Sequence, residues 1–155
     1  MFEIKYRFVE NQVDDVKNMD EMTLRYELFL GSLWLEKDEK KLSMDWKWIP
    51  LLDFALCMNV ISTQLNKQVK GEEVFDFTES DATIVFRREE DTCEITASIS
   101  DISLPVSFTE FQEAVQLFCK RVISDILSKN KALKDSIVFK KAIKNAGLKV
   151  EKDFL

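Results

Sequence analysis

Regular alternation of apolar and polar residues from Val74 to Phe108 constrains the fold more than any other feature of the sequence. Apolar side chains recur at every second position in short runs that polar turns separate. This period places one face of each run in the interior and the other in water, as in antiparallel strands joined by short connections. We therefore predict a meander of three or four strands here.

The N-terminal part of the chain shows the same two-residue period. In Phe2–Phe8 the even positions are apolar and the odd positions charged, which predicts a strand. Apolar positions alternate again from Thr23 to Leu35 and from Leu42 to Trp48, on either side of the charged tip 36–41 that is typical of a hairpin. Gly31 interrupts the first of these runs and predicts a β-bulge.

Three other segments place apolar residues three or four positions apart, which predicts core-facing helices. The first begins at Pro50, a favoured first helical residue, and ends near Gly71. The second follows a capping-box pattern at Thr109, and the third ends at Gly147. The predicted helices cover about residues 50–68, 110–128 and 135–146.

These elements together predict the α+β class. The expected architecture is an antiparallel sheet, made of the N-terminal strand, the bulged hairpin and the meander, with the helices packed mainly on one face. A chain of 155 residues has the length of one domain, and no linker or repeat divides it. We therefore expect a single domain over residues 1–155.

Composition narrows the chemistry that the chain can perform. It contains no histidine, which excludes the imidazole-based catalytic triads and histidine-ligated zinc. Three glycines are too few for a phosphate-binding loop, and no GxSxG or GxGxxG motif is present. We therefore predict no cofactor, no metal site and no catalytic residues; any catalysis would have to use carboxylates, lysine, tyrosine or cysteine.

Cys57, Cys93 and Cys119 are odd in number and match neither a CxxC pair nor a disulfide framework. Each lies among apolar residues, so we predict buried, unreactive thiols in a reducing compartment. The N-terminus lacks the apolar core of a secretory signal, and the longest uncharged run, Phe54–Asn66, is too short and too polar to span a bilayer. We expect a cytoplasmic protein without a membrane segment.

Charge is distributed unevenly along the chain, whose net charge is −6. Residues 1–127 contain 14 basic and 25 acidic side chains, a net charge of −11, whereas residues 128–155 carry a net charge of +5. A negative field attracts basic proteins and repels nucleic acid. We therefore predict a basic protein partner and no specific nucleic-acid binding, since the cluster of Lys140, Lys141 and Lys144 has no interleaved aromatic residue.

Two acidic turns of the predicted meander are the candidate binding residues for such a partner. They would act through charge steering and hydrogen bonds to lysine or arginine. The first turn does not match a calcium-binding loop, because it has neither the glycine at position six nor the glutamate at position twelve. The candidate partner-binding residues are Asp76, Glu79 and Asp81 of the first turn and Glu89, Glu90 and Asp91 of the second.

The segment 74–127 resembles small uncharacterised bacterial proteins, several of which are regarded as immunity proteins of polymorphic toxin systems. The shared features are an F-x-F-x-E-S strand end at residues 75–80, a strand pair joined by an acidic turn, and a strand that runs into a long helix through residues 108–111. The resemblance implies a cytoplasmic inhibitor, with a sheet and helices on one side of it, that covers the active site of a cognate toxin.

Two other classes of function remain open at the level of the sequence. A homo-oligomeric accessory protein would need an exposed apolar patch, for which Trp34, Trp46 and Trp48 are candidates. A small-ligand-binding protein or a carboxylate-based enzyme would need a deep pocket between the sheet and the helix at about 50–68, with perturbed titrations in it.

Overall fold

The computed structural model describes residues 1–9 and 16–148 and confirms the α+β class. The described strands are β1 (Phe2–Phe8), β2 (Leu30–Lys37), β3 (Lys40–Pro50), β4 (Lys70–Asp76), β5 (Thr83–Glu89), β6 (Thr92–Ala97) and β7 (Ser103–Ser107). The described α-helices are α1 (Leu51–Asn66), α2 (Phe108–Lys129) and α3 (Ile137–Asn145). The last seven residues of the basic C-terminal segment lie outside the described residues.

The strands form two antiparallel sheets where the sequence predicted one. β1, β2 and β3 pair in that order, and β4 to β7 form a second sheet with the order β4-β5-β6-β7. The division falls at α1, which follows β3 without a break and carries the chain to the second sheet. β2 contacts β7, so the two sheets adjoin in space although they share no ladder.

Helices α1 and α2 pack on each other and join both sheets into one hydrophobic core. Phe54 of α1 meets Phe75 of the second sheet and Phe118 of α2, with ring centroids 4.8 and 5.7 Å apart. Phe111 of α2 lies 5.5 Å from Phe86 and also stacks on β1. These edge-to-face and stacked contacts leave the opposite face of each sheet in solvent.

The irregularity predicted at Gly31 is present, but the extra residues are on the partner strand. The pairing of β2 with β3 shifts register between Gly31 and Leu33, and β3 accommodates residues 45–48 opposite this short step. The hydroxyl of Ser32 accepts a hydrogen bond from the Lys47 backbone N–H at 3.0 Å, and Lys47 has a φ of 67°. This side-chain bond holds the bulge in shape.

Two local predictions are wrong. The strand expected from Thr23 begins at Leu30, because residues 23–27 form a π-helical turn that Asp20 caps through a 2.8 Å bond to the Thr23 N–H. Gly71 does not end the first helix: α1 stops at Asn66, and Gly71 lies inside β4. The predicted end of the third helix is confirmed, since α3 ends at Asn145 and Gly147 follows with a φ of +87°.

The N-cap of helix α2 lies two residues before the predicted cap. Ser107, not Thr109, is the N-cap, and its hydroxyl accepts a hydrogen bond from the Glu110 N–H at 3.0 Å. The pattern Ser107-x-x-Glu110 matches a capping box in sequence, but the Glu110 carboxylate binds the Phe2 N–H and Lys37 instead of returning to its own helix end. The cap therefore also ties α2 to the first sheet.

Substitution of Ser107 by alanine is expected to lower the free energy of unfolding by about 1 kcal/mol, because one N–H of the first helical turn loses its acceptor. Urea denaturation followed by circular dichroism measures this change. Thr109→Ala is the matched control, because Thr109 is exposed and its side chain caps nothing. Equal losses for the two variants would show that the Ser107 hydroxyl is not the cap.

Candidate functional site

The six acidic residues predicted as a binding site lie at opposite ends of the second sheet. Asp76, Glu79 and Asp81 surround the turn that leads into β5, and residues 89–91 surround the turn that leaves it. The seven residues of β5 separate the turns by roughly 20 Å at about 3.4 Å per residue. One small contact cannot include both turns.

The first acidic turn is joined at its end of the sheet by the turn between β6 and β7. Thr83 and Ser98 connect the two turns, because the Thr83 N–H donates to the Ser98 hydroxyl at 2.9 Å and the Ser98 N–H donates to the Thr83 carbonyl at 3.0 Å. The turn between β6 and β7 adds Asp101. We refer to Asp76, Glu79, Asp81 and Asp101 together as the acidic end.

No lysine or arginine in residues 1–9 and 16–148 forms an ion pair with the acidic end. All four carboxylates are on exposed residues. Charges of one sign on the same rim, without local compensation, project a negative potential into solvent. This arrangement suits a cationic partner.

Apolar side chains accompany the acidic end. Ile99 and Ile102 in the β6–β7 turn are 44% and 40% exposed. Beside the other turn, Trp46 and Trp48 stack on each other at 5.1 Å, and both meet the edge of Phe77. The alternating pattern predicted strand positions for the two isoleucines, but they are surface residues of a turn, and the sequence Ile99-Ser100-Asp101-Ile102 is the signal that marks them.

The three tryptophans do not form the common patch that the sequence left open. Trp46 and Trp48 are half-buried and pack against the core, as expected for aromatic residues used in packing. Trp34 lies on the outer face of the first sheet, where the Arg7 guanidinium and the Lys41 ammonium sit 5.8 and 5.9 Å from its ring. Cation–π contacts thus account for the third ring.

Of the three carboxylates in the second acidic turn, only Glu89 forms an ion pair within the described residues, and other side chains hold the backbone of the turn. Lys70 lies 3.6 Å from Glu89, and the Arg88 guanidinium donates to the Glu90 carbonyl at 2.8 Å. Arg88 also binds two carbonyls at the end of α1 and lies 3.8 Å above the Phe108 ring. The Asp91 carbonyl accepts the Phe108 N–H at 2.7 Å. These contacts show a structural role for this turn.

A partly buried ion pair lies beside a cavity of about 420 Å³ between α1, β4 and α3. Nε and Nη2 of Arg25 both donate to Oδ1 of Asp53, at 2.8 and 2.6 Å. Asp53 is 5% exposed, and the thiol of Cys57 lies 3.8 Å from the same oxygen. Asp76 of the acidic end lines the opposite wall of this cavity.

Asp53 has a larger structural role than its position in the first turn of a helix suggests. Burial raises the pKa of the Asp53 carboxyl, and the charge of Arg25 opposes that shift. Burial also raises the pKa of the Cys57 thiol to about 11, so the sulfur is protonated at neutral pH and is not a nucleophile. Arg25, Asp53 and Cys57 thus satisfy one another at the cavity wall.

The other two cysteines are buried, as the sequence predicted, and Cys57 is only partly exposed. Burial raises the pKa of Cys93 and of Cys119 to about 12. The Cys119 thiol donates to the Ala55 carbonyl at 3.1 Å, which fixes α2 against α1. The described thiols therefore act as small core residues.

Comparison with protein-family models, with curated proteins and with solved structures finds no match. Among the described residues, no helix is both long and apolar enough to cross a membrane. The same residues contain no group of three or more cysteine, aspartate and glutamate side chains placed to hold a metal ion.

Proposed function

We propose that the protein is a non-enzymatic binding module that acts in the cytoplasm as an immunity-type inhibitor and covers the basic active site of a cognate toxin. The observation that carries this proposal is the acidic end, where four carboxylates without a described cationic partner lie at the same end of the sheet as the exposed Ile99 and Ile102. The resemblance of residues 74–127 to immunity proteins supports it. The contact surface contains the first predicted turn, and the second turn contributes to the long-range field.

The charged and apolar parts of this surface have different roles in association. Carboxylates at a rim steer a cationic protein during its approach and set the association rate. Apolar side chains such as Ile99 and Ile102, once buried against the partner, slow dissociation. Nucleic acid would be repelled by the same field, which separates the inhibitor from the substrate of a nucleic-acid-cleaving toxin.

Neutralisation of the acidic end is expected to slow association about tenfold or more at low salt and to flatten its salt dependence. The variant combines Asp76→Asn, Glu79→Gln, Asp81→Asn and Asp101→Asn. Stability should change little, because no described ion pair is lost. The measurement is capture of partners from the native cytoplasm at low and high salt, followed by association kinetics with the purified partner.

The opposite end of the same sheet provides the matched control. Glu89→Gln, Glu90→Gln and Asp91→Asn remove similar charge at a distance from the proposed contact, so association should slow by less than about threefold. The proposed contact site would be contradicted if the partner's binding kinetics were unchanged both in the four-residue variant of the acidic end and in this three-residue control. Failure of the wild-type protein to retain one basic protein at near-equal stoichiometry would contradict the proposed function.

A further inference from the structure

The outer edge of β1 is an unpaired edge of the first sheet. The Val9 N–H donates to the Leu30 carbonyl of β2 at 2.9 Å, so odd-numbered residues of this strand direct their backbone groups towards β2. Even-numbered residues direct theirs away from it, because the two sets alternate along a strand. The Phe2 N–H on this side donates to the Glu110 carboxylate at 3.1 Å.

The next two residues on that side, Ile4 and Tyr6, keep their backbone N–H and C=O groups unpaired within the described part of the chain. β1 contains no proline and no bulge, two of the devices that protect an exposed edge, and its charged side chains are at the odd positions, whose backbone groups face β2. A strand with this edge is a template for pairing with another strand.

Helix α2 runs beside this edge in the direction of β1. Its N-terminal Glu110 binds the start of the strand, and Asp125, four turns later, accepts a hydrogen bond from the hydroxyl of Tyr6. A groove of about 550 Å³ lies between the strand and the helix, and Leu117 of α2 lines it with 45% of its surface exposed. Leu117 therefore lies alongside the middle of β1.

Two charged residues flank Leu117 symmetrically on the groove side of α2. Glu113 precedes it by four residues and Arg121 follows it by four, so the three side chains share one face of the helix. Glu113 and Arg121 are exposed, and neither forms an ion pair with any residue in 1–9 or 16–148. The order acidic, apolar, basic is complementary to itself when a second copy runs the opposite way.

We propose that the groove and the free edge of β1 bind a second copy of this chain, by antiparallel pairing of the two β1 strands about a two-fold axis at Ile4. Leu117 then meets Leu117 of the second copy, and Glu113 faces Arg121 on both sides of the axis. Two three-stranded sheets become one continuous sheet of six strands. This proposal is independent of the acidic end, which belongs to the other sheet.

The backbone register of this pair agrees with the side chains. With Ile4 opposite Ile4, the two Ile4 residues exchange both of their backbone bonds, and the Tyr6 N–H reaches the Phe2 carbonyl of the second copy. The Phe2 N–H then exchanges its bond to Glu110 for one to the Tyr6 carbonyl of the second copy, and Glu110 keeps its ion pair with Lys37. On the outer face the same register places Glu3 opposite Lys5 of the second copy. Opposite charges in directly facing positions stabilise antiparallel pairs.

Sedimentation equilibrium of the full chain tests this inference over about a hundredfold range of concentration. The wild-type protein should approach twice the 18.1 kDa mass of one chain at high concentration. Leu117→Lys places two ammonium groups at the axis and should weaken the dimer about tenfold or more. Gln116→Lys is the matched control, since Gln116 is exposed on α2 and does not line the groove.

A charge exchange separates recognition from a general loss of structure. Glu113→Arg and Arg121→Glu should each weaken the dimer about tenfold, and the double variant should recover to within about threefold of the wild-type constant. The proposal would be overturned if the wild-type protein had the mass of one chain at every concentration. It would also be overturned if Leu117→Lys left the dimerisation constant unchanged, or if the double variant dimerised no more strongly than the single variants. Neutralisation of the acidic end should leave the dimer intact.

Discussion

Replacement of Arg25 by alanine is expected to lower the free energy of unfolding by about 3 kcal/mol, because the Asp53 carboxylate is then buried without its counter-charge. The side chain of Asp53 is only 7% exposed, and both described donors from Arg25 bind one of its oxygens. Removal of a single partner from such a pair leaves the full desolvation cost of the remaining ion. Urea denaturation measures the loss.

Arg87→Ala is the matched control for this prediction. Arg87 binds Glu72 at 2.9 Å, similar in length to the pair at Asp53, but both of these side chains are about half exposed. An exposed pair contributes less than about 1 kcal/mol, so the two arginine substitutions should differ by about 2 kcal/mol or more. Similar losses at both sites would show that burial does not set the strength of the Arg25 pair.

Removal of both charges extends the test. Arg25→Met combined with Asp53→Leu replaces the ion pair by apolar groups of similar size, so the double variant should recover at least about half of the stability that Arg25→Ala loses. The double variant also tests whether the ion pair beside the cavity takes part in recognition of the partner. If the double variant is stable and its partner binding is unchanged, the pair supports the fold and takes no part in recognition.

Elements with a local signal were predictable from the sequence. The alternation in residues 74–108 is a property of neighbouring side chains, and β5, β6 and β7 lie where that period predicts them. The three helices were predicted to within a few residues for the same reason. The false strand at Thr23 shows the limit, because Asp20 caps a helical turn there and a short alternating run does not exclude one.

Long-range pairing was not predictable. Nothing in the sequence shows that β3 ends its sheet and that β4 begins another, because this depends on how α1 packs between them. Arg25 and Asp53 are 28 residues apart, and only the packing of the turn at residues 23–27 against α1 brings them together. Tertiary contacts of this kind leave no periodic signature.

The candidate site was predictable in part. Four strands in a meander place alternate turns at the same end, so the turns around residues 79 and 100 are neighbours and the turn around residue 90 is not. Applied to the sequence, this rule separates the two acidic turns and adds Asp101 to the first. The half-buried packing of Trp46 and Trp48 agrees with their place in an alternating strand, whereas their contact with Phe77 depends on the bulge in β3 and on tertiary packing and could not be inferred.

Gly31→Ala is expected to lower the free energy of unfolding by about 3 kcal/mol or more. A methyl group at this position would lie 2.1 Å from the Arg7 carbonyl oxygen and 2.6 Å from Cδ1 of Leu51. Both distances are far shorter than a van der Waals contact, and the closer atom belongs to the backbone of β1. β1 would have to move away from β2, and the Leu51 side chain at the start of α1 would have to shift as well.

Gly71→Ala is the control that separates crowding from the general effect of replacing glycine. Gly71 also lies in a strand, but a methyl group there would meet only Cδ2 of Leu65, at an ordinary distance of 3.6 Å. Because alanine restricts the unfolded chain more than glycine does, this variant should change stability by less than about 1 kcal/mol, towards greater stability. Similar losses in both variants, measured by urea denaturation, would contradict close approach as the reason for Gly31. If the predicted difference is found, Gly31 is required because the edge strand β1 and the start of α1 both approach β2 at this residue. Displacement of β1 in Gly31→Ala should also weaken the proposed association through that strand.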